Sequence, residues 1–267
     1  MRRFALLLLM LLGMSMAASA YNNTYAIVIG VADYLSFAKD DGDLNYTVDD
    51  AISFVNFLKS KKGGSVPASH IVLLTDALAT KANIQSKAKA LFSQAQKEDR
   101  IIFYFSGHGG KGYFLPYDVT MDGDNLLYFN EVKAIFRTAK CKTKLLFADA
   151  CFSGGMKESI GKKLPLKKNH QDGVKAASNM NIAVMMSCQG DETSIETGAL
   201  RQGLFTYYLI EGLGGMANSD GNKYITIQEL FYYVFHKVQD AAAKRGHKQT
   251  PELFGKFDLR LIVANLQ

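Results

Sequence analysis

The sequence predicts an α/β protein whose mainly parallel sheet is covered by helices on both faces. Short runs that are almost wholly apolar and rich in β-branched and aromatic residues are typical of strands buried on both sides. Amphipathic segments lie between these runs, and this alternation with short links implies right-handed crossover connections. The chain has 267 residues, 48% hydrophobic and 21% charged, with only four prolines. No repeat or linker divides it, so we expect one large domain.

Five apolar runs predict the strands of the sheet. They are short and lack the polar alternation that a solvent-facing side would impose. The predicted strands are Tyr25–Val31, His70–Thr75, Arg100–Phe105, Lys144–Ala148 and Ile182–Ser187. Phe257–Val263 is a candidate sixth strand.

The amphipathic segments predict five helices. In the first of them, Val48, Ile52, Val55 and Leu58 recur at helical spacing and share one face. The last begins with Thr226-Ile-Gln-Glu, a capping-box sequence that satisfies the first backbone N–H groups of a helix. The predicted helices are Thr47–Ser60, Thr80–Lys97, Tyr128–Ala139, Arg201–Leu213 and Thr226–Lys244.

The first twenty residues predict a secretory signal peptide. Arg2 and Arg3 form a basic start, Phe4–Met16 is almost wholly apolar, and Ala18-Ser-Ala20 supplies a small-x-small cleavage pattern. The apolar run is shorter than the ~20 residues that a spanning helix needs. We therefore expect a signal peptide over residues 1–20, a mature domain over 21–267, and export to the periplasm or the cell exterior without a membrane anchor.

The charge balance argues against a nucleic-acid partner. The net charge is +6, with 31 basic and 25 acidic residues, and loss of the leader removes two of the basic residues. The remaining charges are scattered and are not interleaved with aromatic residues. The densest basic cluster, within Met156–Lys175, is typical of a solvated loop.

The cysteine pattern leaves at least one thiol free in an exported protein. Cys141, Cys151 and Cys188 are an odd number, and their spacing matches no CxxC pair. A Cys141–Cys188 disulfide and two small buried thiols are both compatible with the sequence, and buried thiols are the more common case.

Two motifs point to a reactive thiol and an imidazole at the ends of neighbouring strands. His108 follows the third predicted strand and Cys151 follows the fourth, each beside glycine. Ligands of open α/β sheets bind outside the carboxyl ends of the strands. A thiolate is a strong nucleophile and an imidazole can accept its proton. Either residue alone is more typical of a protein core than of a catalytic site, but together, at strand ends and beside glycine, they favour catalysis. The backbone N–H groups of Gly109 and Cys151 are candidate donors to an oxyanion.

The same motifs resemble those of caspase-fold cysteine peptidases, most closely the metacaspase-like bacterial branch. The matching segments are Ser106-Gly-His-Gly109 and Asp149-Ala-Cys-Phe-Ser-Gly154. His108 lies 43 residues before Cys151, against about 50 in caspases, and Asp149 replaces the caspase Gln. Ser187–Ser194 and Ile29–Val31 with Leu44–Ala51 extend the resemblance from about Tyr25 to Gly214. It implies a caspase-like three-layer α/β/α sandwich with a mainly parallel sheet of about six strands.

The resemblance also implies a His108/Cys151 dyad and an acidic S1 pocket that selects Arg or Lys. Asp50 and Asp149 match the pocket acids, and Ser106 and Ser187 are further candidates for its lining. Two carboxylates near a nucleophile suit a guanidinium or ammonium group. Asp50 is also an acid in the first turn of a predicted helix, where it would stabilise the helix. The expected partners are peptides or proteins with basic residues.

No cofactor is predicted, although many metacaspases need calcium. The stretch that matches their acidic cluster, Leu127–Val132, supplies mainly Glu131. The other available acids do not complete the cluster; they are Asp118, Asp122, Asp124 and Glu158. Asn218–Glu229 faintly resembles a calcium loop, but Lys223 stands where the bend needs glycine.

Several functions stay open at the level of the sequence. The Lys-rich segment Met156–Lys175 fits a self-processing site for an enzyme that cuts after basic residues. A transpeptidase or ligase would use the same dyad, and a non-catalytic caspase-like binding module would use the groove alone. A metal site formed by His108, Cys151 and Cys188 matches no zinc spacing. The favoured prediction is an exported cysteine endopeptidase.

Overall fold

The computed structural model describes residues 21–37, 42–110, 112–150, 182–189 and 192–266. The predicted signal peptide, Cys151 and the segment Met156–Lys175 lie outside the described residues. Within the described ranges, no helix combines the length and the apolar character that crossing a bilayer requires.

The secondary structure alternates between strands and helices as the sequence predicts. In chain order the described strands are β1 (Thr24–Gly30), β2 (Ile71–Thr75), β3 (Arg100–Ser106), β4 (Gly109–Gly110), β5 (Tyr113–Phe114), β6 (Leu127–Tyr128), β7 (Thr143–Asp149), β8 (Ala183–Met186), β9 (Glu196–Thr197), β10 (Gln202–Gly203), β11 (Tyr224–Thr226), β12 (Glu252–Gly255) and β13 (Ile262–Asn265). The described α-helices are α1 (Thr47–Lys59), α2 (Lys81–Phe92), α3 (Phe129–Phe136), α4 (Leu204–Glu211) and α5 (Ile227–Ala243).

Six strands form the central sheet in the order β12-β8-β7-β3-β1-β2. The five strands from β8 to β2 run parallel, and β12 runs antiparallel at the edge beside β8. Ser106, the last residue of β3, is level with Gly30 on one side and Asp149 on the other. The carboxyl ends of β1, β3 and β7 therefore lie at the same rim of the sheet.

The sheet is the middle layer of three, which confirms the predicted α/β/α sandwich. On β1, Ile27 and Ile29 belong to the apolar core shared with α2 and α3. Ala26 and Val28, which point to the opposite face, belong to the core shared with α1, α4 and α5. Alternate side chains of one strand thus serve two cores, which explains why the strand sequences are apolar at nearly every position.

Side-chain caps fix the starts of two predicted helices. The Thr80 hydroxyl accepts a hydrogen bond from the Asn83 N–H at the start of α2. At the start of α5, the Thr226 hydroxyl accepts from the Glu229 N–H, and the Glu229 carboxylate accepts from the Thr226 N–H. The predicted capping box is therefore present.

The prediction of the sixth strand was wrong. Glu252–Gly255 forms the edge strand of the main sheet, whereas Phe257–Val263 begins with a tight turn. In that turn the Arg260 N–H donates to the Asp258 carboxylate, and the Leu261 N–H donates to the Asp258 carbonyl. Only Ile262–Asn265 is extended, and it pairs with β11 in a separate two-stranded sheet.

Candidate active site

His108 lies at the carboxyl rim of the sheet, two residues after β3. Its backbone N–H donates to the Tyr34 hydroxyl at 2.7 Å, and the Tyr34 and His108 rings lie 5.2 Å apart. Its Nε2 atom is 2.6 Å from the Gly42 carbonyl oxygen. Two segments that follow β1 in the chain therefore hold the buried imidazole at its backbone and at its ring.

The contact with Gly42 determines which ring nitrogen can accept a proton. A carbonyl oxygen only accepts hydrogen bonds, so Nε2 carries the proton and the neutral ring keeps its lone pair on Nδ1. Burial lowers the pKa of His108, while the Gly42 carbonyl and the acids Glu196 and Asp43 act in the opposite direction. The lowered pKa favours a neutral imidazole, the form that a general base needs.

Asp149 is the last residue of β7, and its buried carboxylate accepts three hydrogen bonds. Oδ2 accepts hydrogen bonds from the Thr206 N–H at 3.1 Å and the Thr206 hydroxyl at 2.8 Å. Oδ1 accepts from the Ser194 hydroxyl. The Thr206 N–H lies in the first turn of α4, where the helix dipole also favours a negative charge. Burial nevertheless raises the pKa of Asp149.

Asp50, on α1, carries a second buried carboxylate close to Asp149. Its carboxylate accepts from the Ser106 hydroxyl at 2.9 Å and from the Gly203 N–H at 3.0 Å. Burial, and then the charge of Asp149, raise its pKa well above the usual value. The two acids therefore oppose each other's ionisation, and a cation placed between them would relieve that repulsion.

Gly203 allows the two carboxylates to meet. A Cβ atom at this position would lie 2.3 Å from Asp149 Oδ2 and 3.1 Å from Asp50 Oδ2. Any larger residue would force the Asp149 carboxylate out of place, so the close approach requires glycine.

These side chains line one cavity of about 250 Å³. The lining brings together four of the residues that the sequence singles out, namely Asp50, Ser106, His108 and Asp149. It also contains Asp43 and Glu196, two further acids that sequence reasoning missed. The Glu196 carboxylate accepts from the backbone N–H groups of Asn45 and Tyr46, at 2.9 and 2.8 Å. It therefore fixes the start of α1, the helix that carries Asp50.

Two of the three remaining predicted site residues, Ser187 and Gly109, do not line this cavity, and the third, Cys151, lies outside the described residues. Ser187 is fully buried, and its hydroxyl accepts from the Ala150 N–H and donates to the Ala150 carbonyl. It holds the residue that precedes Cys151 in the sequence and does not face the cavity. Gly109 is the first residue of β4. The Leu115 N–H donates to the His108 carbonyl. Because the backbone N–H groups of an antiparallel strand point alternately toward and away from the partner strand, the Gly109 N–H points away from β5.

The remaining cysteines are buried free thiols, so the described residues contain no Cys141–Cys188 disulfide. Burial raises the pKa of Cys141 to about 11, which makes it a poor nucleophile at neutral pH. Cys188 lies beside the end of β7, where its sulfur contacts the Ala150 and Glu192 carbonyls.

Two of the acids considered for calcium, Glu131 and Asp118, make structural contacts, and Glu158 lies outside the described residues. Glu131 pairs with Lys81 at 2.9 Å and accepts from the Tyr128 N–H, and Asp118 accepts from the Lys81 N–H. Across the described ranges, no group of three His, Cys, Asp or Glu side chains is arranged to hold a metal ion.

Comparison with known families identifies the chain at the level of its family. The sequence model of the caspase domain matches residues 23–260. The chain belongs to the caspase-domain family. This assignment confirms the resemblance that the His108 and Cys151 motifs indicate, and it extends the match beyond Gly214 to the α5 and β12 region.

Curated relatives of this caspase domain are named as peptidases. A "Probable protease" from a Desulfuromonadales bacterium is 27% identical over 261 residues, which cover 86% of this chain and 31% of the relative. Metacaspase-1 of Schizosaccharomyces pombe is 26% identical over 150 residues, which cover 49% of this chain and 34% of the relative. The chain thus spans about a third of the length of these relatives.

Solved structures share the fold of this caspase domain at low sequence identity. A Geobacter sulfurreducens protein superposes with a TM-score of 0.65 and 16% identity, covering 92% of this chain and all (100%) of that protein. Caspase-1 of Spodoptera frugiperda superposes with a TM-score of 0.61 and 15% identity, covering 92% of this chain and 90% of that protein.

Proposed function

We propose that this chain is an exported cysteine endopeptidase that cleaves peptide bonds after Arg or Lys. The observation that carries the proposal is the single cavity in which His108, Asp50 and Asp149 meet. Membership of the caspase-domain family supports cysteine-peptidase chemistry in general. Cys151, two positions after Asp149 in the sequence, is the proposed nucleophile, although it lies outside the described residues.

In the proposed reaction, Nδ1 of His108 accepts the thiol proton of Cys151. The thiolate attacks the carbonyl carbon of the scissile bond, and the protonated imidazole then gives its proton to the departing amine. Water hydrolyses the remaining thioester, with His108 again accepting a proton. The Gly109 N–H is the proposed donor to the oxyanion.

The proposed preference for Arg or Lys rests on the paired acids. Asp50 and Asp149 are both buried, and their carboxylates both adjoin Gly203. A guanidinium or ammonium group entering this cavity would relieve the electrostatic repulsion between the two carboxylates. A substrate carboxylate would add to the repulsion, so we expect Asp-specific substrates to be rejected.

Fluorogenic peptide amides ending in Arg, Lys or Asp test the proposal directly. We expect hydrolysis after Arg and Lys only, and a loss of at least ~10⁴-fold in kcat/KM for Cys151→Ala and for His108→Ala. Cys141→Ala is the matched control, because removing a buried thiol that does not line the cavity should leave activity unchanged. Cleavage after Asp but not Arg would overturn the proposed S1 pocket.

Two further assays distinguish the alternative functions. A transpeptidase or ligase would form a new amide when an amine is added, and mass spectrometry of the products would reveal it. A non-catalytic binding module would leave Cys151 unlabelled by a peptide chloromethylketone ending in Arg.

Self-processing and export are separate parts of the proposal. Purified wild type should be cut after a basic residue in Met156–Lys175, while Cys151→Ala stays intact. Equal, intact masses of the two proteins would exclude self-cleavage. N-terminal sequencing of the exported protein should begin at Tyr21, and a start at Met1 would contradict the predicted signal peptide.

A further inference from the structure

Arg100, the first residue of β3, is a buried cation at the amino-terminal rim of the sheet, whereas His108 lies at the carboxyl rim. Its Nε and Nη2 atoms donate to the Thr24 hydroxyl at 3.2 and 2.9 Å, and Nη1 donates to the Val263 carbonyl. The ring of Tyr21 lies 3.9 Å from the guanidinium carbon. These contacts leave one N–H on each terminal nitrogen for another acceptor, since a guanidinium has five.

No carboxylate balances this charge among the described residues. Asp99 is adjacent in the sequence, but its oxygens accept from the Asn23 and Gln96 N–H groups instead. A buried charge without an ion partner is costly, which is why buried arginines are normally paired with acids. A hydroxyl, a carbonyl and an aromatic ring compensate the charge only in part.

Arg100 borders a cavity of about 280 Å³. Its lining contains a second cation, the exposed Lys62, and no acidic residue in the part of the chain that the structure describes. Leu58, Val66 and Leu213 provide apolar walls. Such walls lower the local dielectric and strengthen the attraction between a cation and an anion.

We propose that this cavity binds a small oxyanion, such as phosphate or a short carboxylate, through Arg100 and Lys62. The planar guanidinium suits two oxygens of one anion, and the ammonium group of Lys62 adds charge without fixed geometry. The seven residues of β3 separate the cavity from the His108 rim by a distance on the order of 20 Å. The anion site is therefore distinct from the candidate active site and does not depend on peptidase activity.

Thermal unfolding of the mature protein in phosphate, sulfate, acetate or chloride at constant ionic strength tests this site. A ligand that binds only the folded state raises the Tm in a saturable way. We expect ~3–6 °C with phosphate at about ten times its Kd. Saturation by acetate but not phosphate would support the same site with a carboxylate ligand. Equal Tm values in all four anions would overturn the proposal.

Three variants locate the effect. Lys62→Glu should reduce the phosphate-dependent shift to ~1 °C or less, whereas Lys61→Glu, the neighbouring exposed lysine that does not line the cavity, should keep it. Arg100→Met should abolish the shift if the variant folds. If it does not fold, the comparison of Lys62→Glu with Lys61→Glu tests the proposal. An undiminished shift in Lys62→Glu would show that the anion binds elsewhere.

Discussion

The imidazole of His108 is held through Nε2 by the Gly42 carbonyl oxygen, at a distance of 2.6 Å. The contact joins two segments that are 66 residues apart in the sequence. It fixes the orientation of the ring, and it leaves Nδ1 for the proposed proton transfer. Because the ring is buried, its neutral form is favoured.

The lowered pKa of His108 predicts an acid-tolerant enzyme. Protonation removes the base, so the midpoint of the fall in kcat at acidic pH should lie below 6.5, the ordinary pKa of histidine. The parameter to follow is kcat, because a bound Arg substrate should keep the Asp50 and Asp149 carboxylates ionised, so that their titration does not mask that of His108. The pH profile of kcat with an Arg amide measures the limb, and a midpoint above pH 7 would contradict this assignment.

The hydrogen bond from the His108 N–H to Tyr34 predicts a positioning role for the tyrosine. Tyr34→Phe keeps the ring and leaves a buried N–H without its acceptor, at a cost of about 1–3 kcal/mol. We expect kcat to fall about tenfold with a nearly unchanged KM. Tyr117→Phe, a half-buried tyrosine packed against the same core, is the control. An equal loss in both variants would indicate a general effect on stability.

The paired acids predict proton release when a basic ligand binds. Burial raises the pKa of both Asp50 and Asp149, so part of the pair is protonated at mildly acidic pH. A bound guanidinium lowers both pKa values, and the protons leave. Calorimetry of an arginine aldehyde in buffers of different ionisation enthalpy measures the release. The norleucine aldehyde should release none, and Asp149→Asn should reduce the release for arginine.

Glu196 predicts a link between stability and the S1 pocket. Glu196→Gln weakens the bonds to the Asn45 and Tyr46 N–H groups at the start of α1, at a cost of about 1–2 kcal/mol. The expected fall in Tm is ~2–6 °C. Asp49→Asn breaks only the exposed pair with Arg201 and should cost less than ~1 kcal/mol. Similar Tm values for both variants would contradict the role assigned to Glu196.

The sequence predicted the five parallel strands because each reads as an apolar run. Four of them are largely buried on both faces, whereas β2, at the edge of the sheet, is only partly buried. The sequence also placed His108 and Asp149 at one rim, since each follows such a run. The edge strand Glu252–Gly255 escaped prediction because it is short and only half-buried. Phe257–Val263 has a more apolar sequence, but its Asp258–Arg260 turn prevents an extended run.

The parts of the site that the sequence missed come from loops and helix ends. Tyr34 and Gly42 have no periodic pattern, and only the folded chain shows that they contact His108. Thr206 looks like an ordinary helix residue, yet it donates two hydrogen bonds to Asp149. Ser187 was misplaced for the opposite reason: it ends a strand at the right rim, but its side chain points to Ala150.

The antiparallel direction of β12 brings the segment that precedes it, which contains Gln249, to the rim of the sheet that carries His108. The residues before β12 lie at the same edge of the sheet as the residues after β8. Gln249 donates to the Ser187 carbonyl and to the Ser194 hydroxyl, which in turn bonds Asp149. A parallel strand would have delivered Gln249 to the opposite edge. A shortened chain that ended at α5 would keep every predicted catalytic residue and still lose the Gln249 contacts that support Ser194 and Asp149 in the proposed specificity pocket.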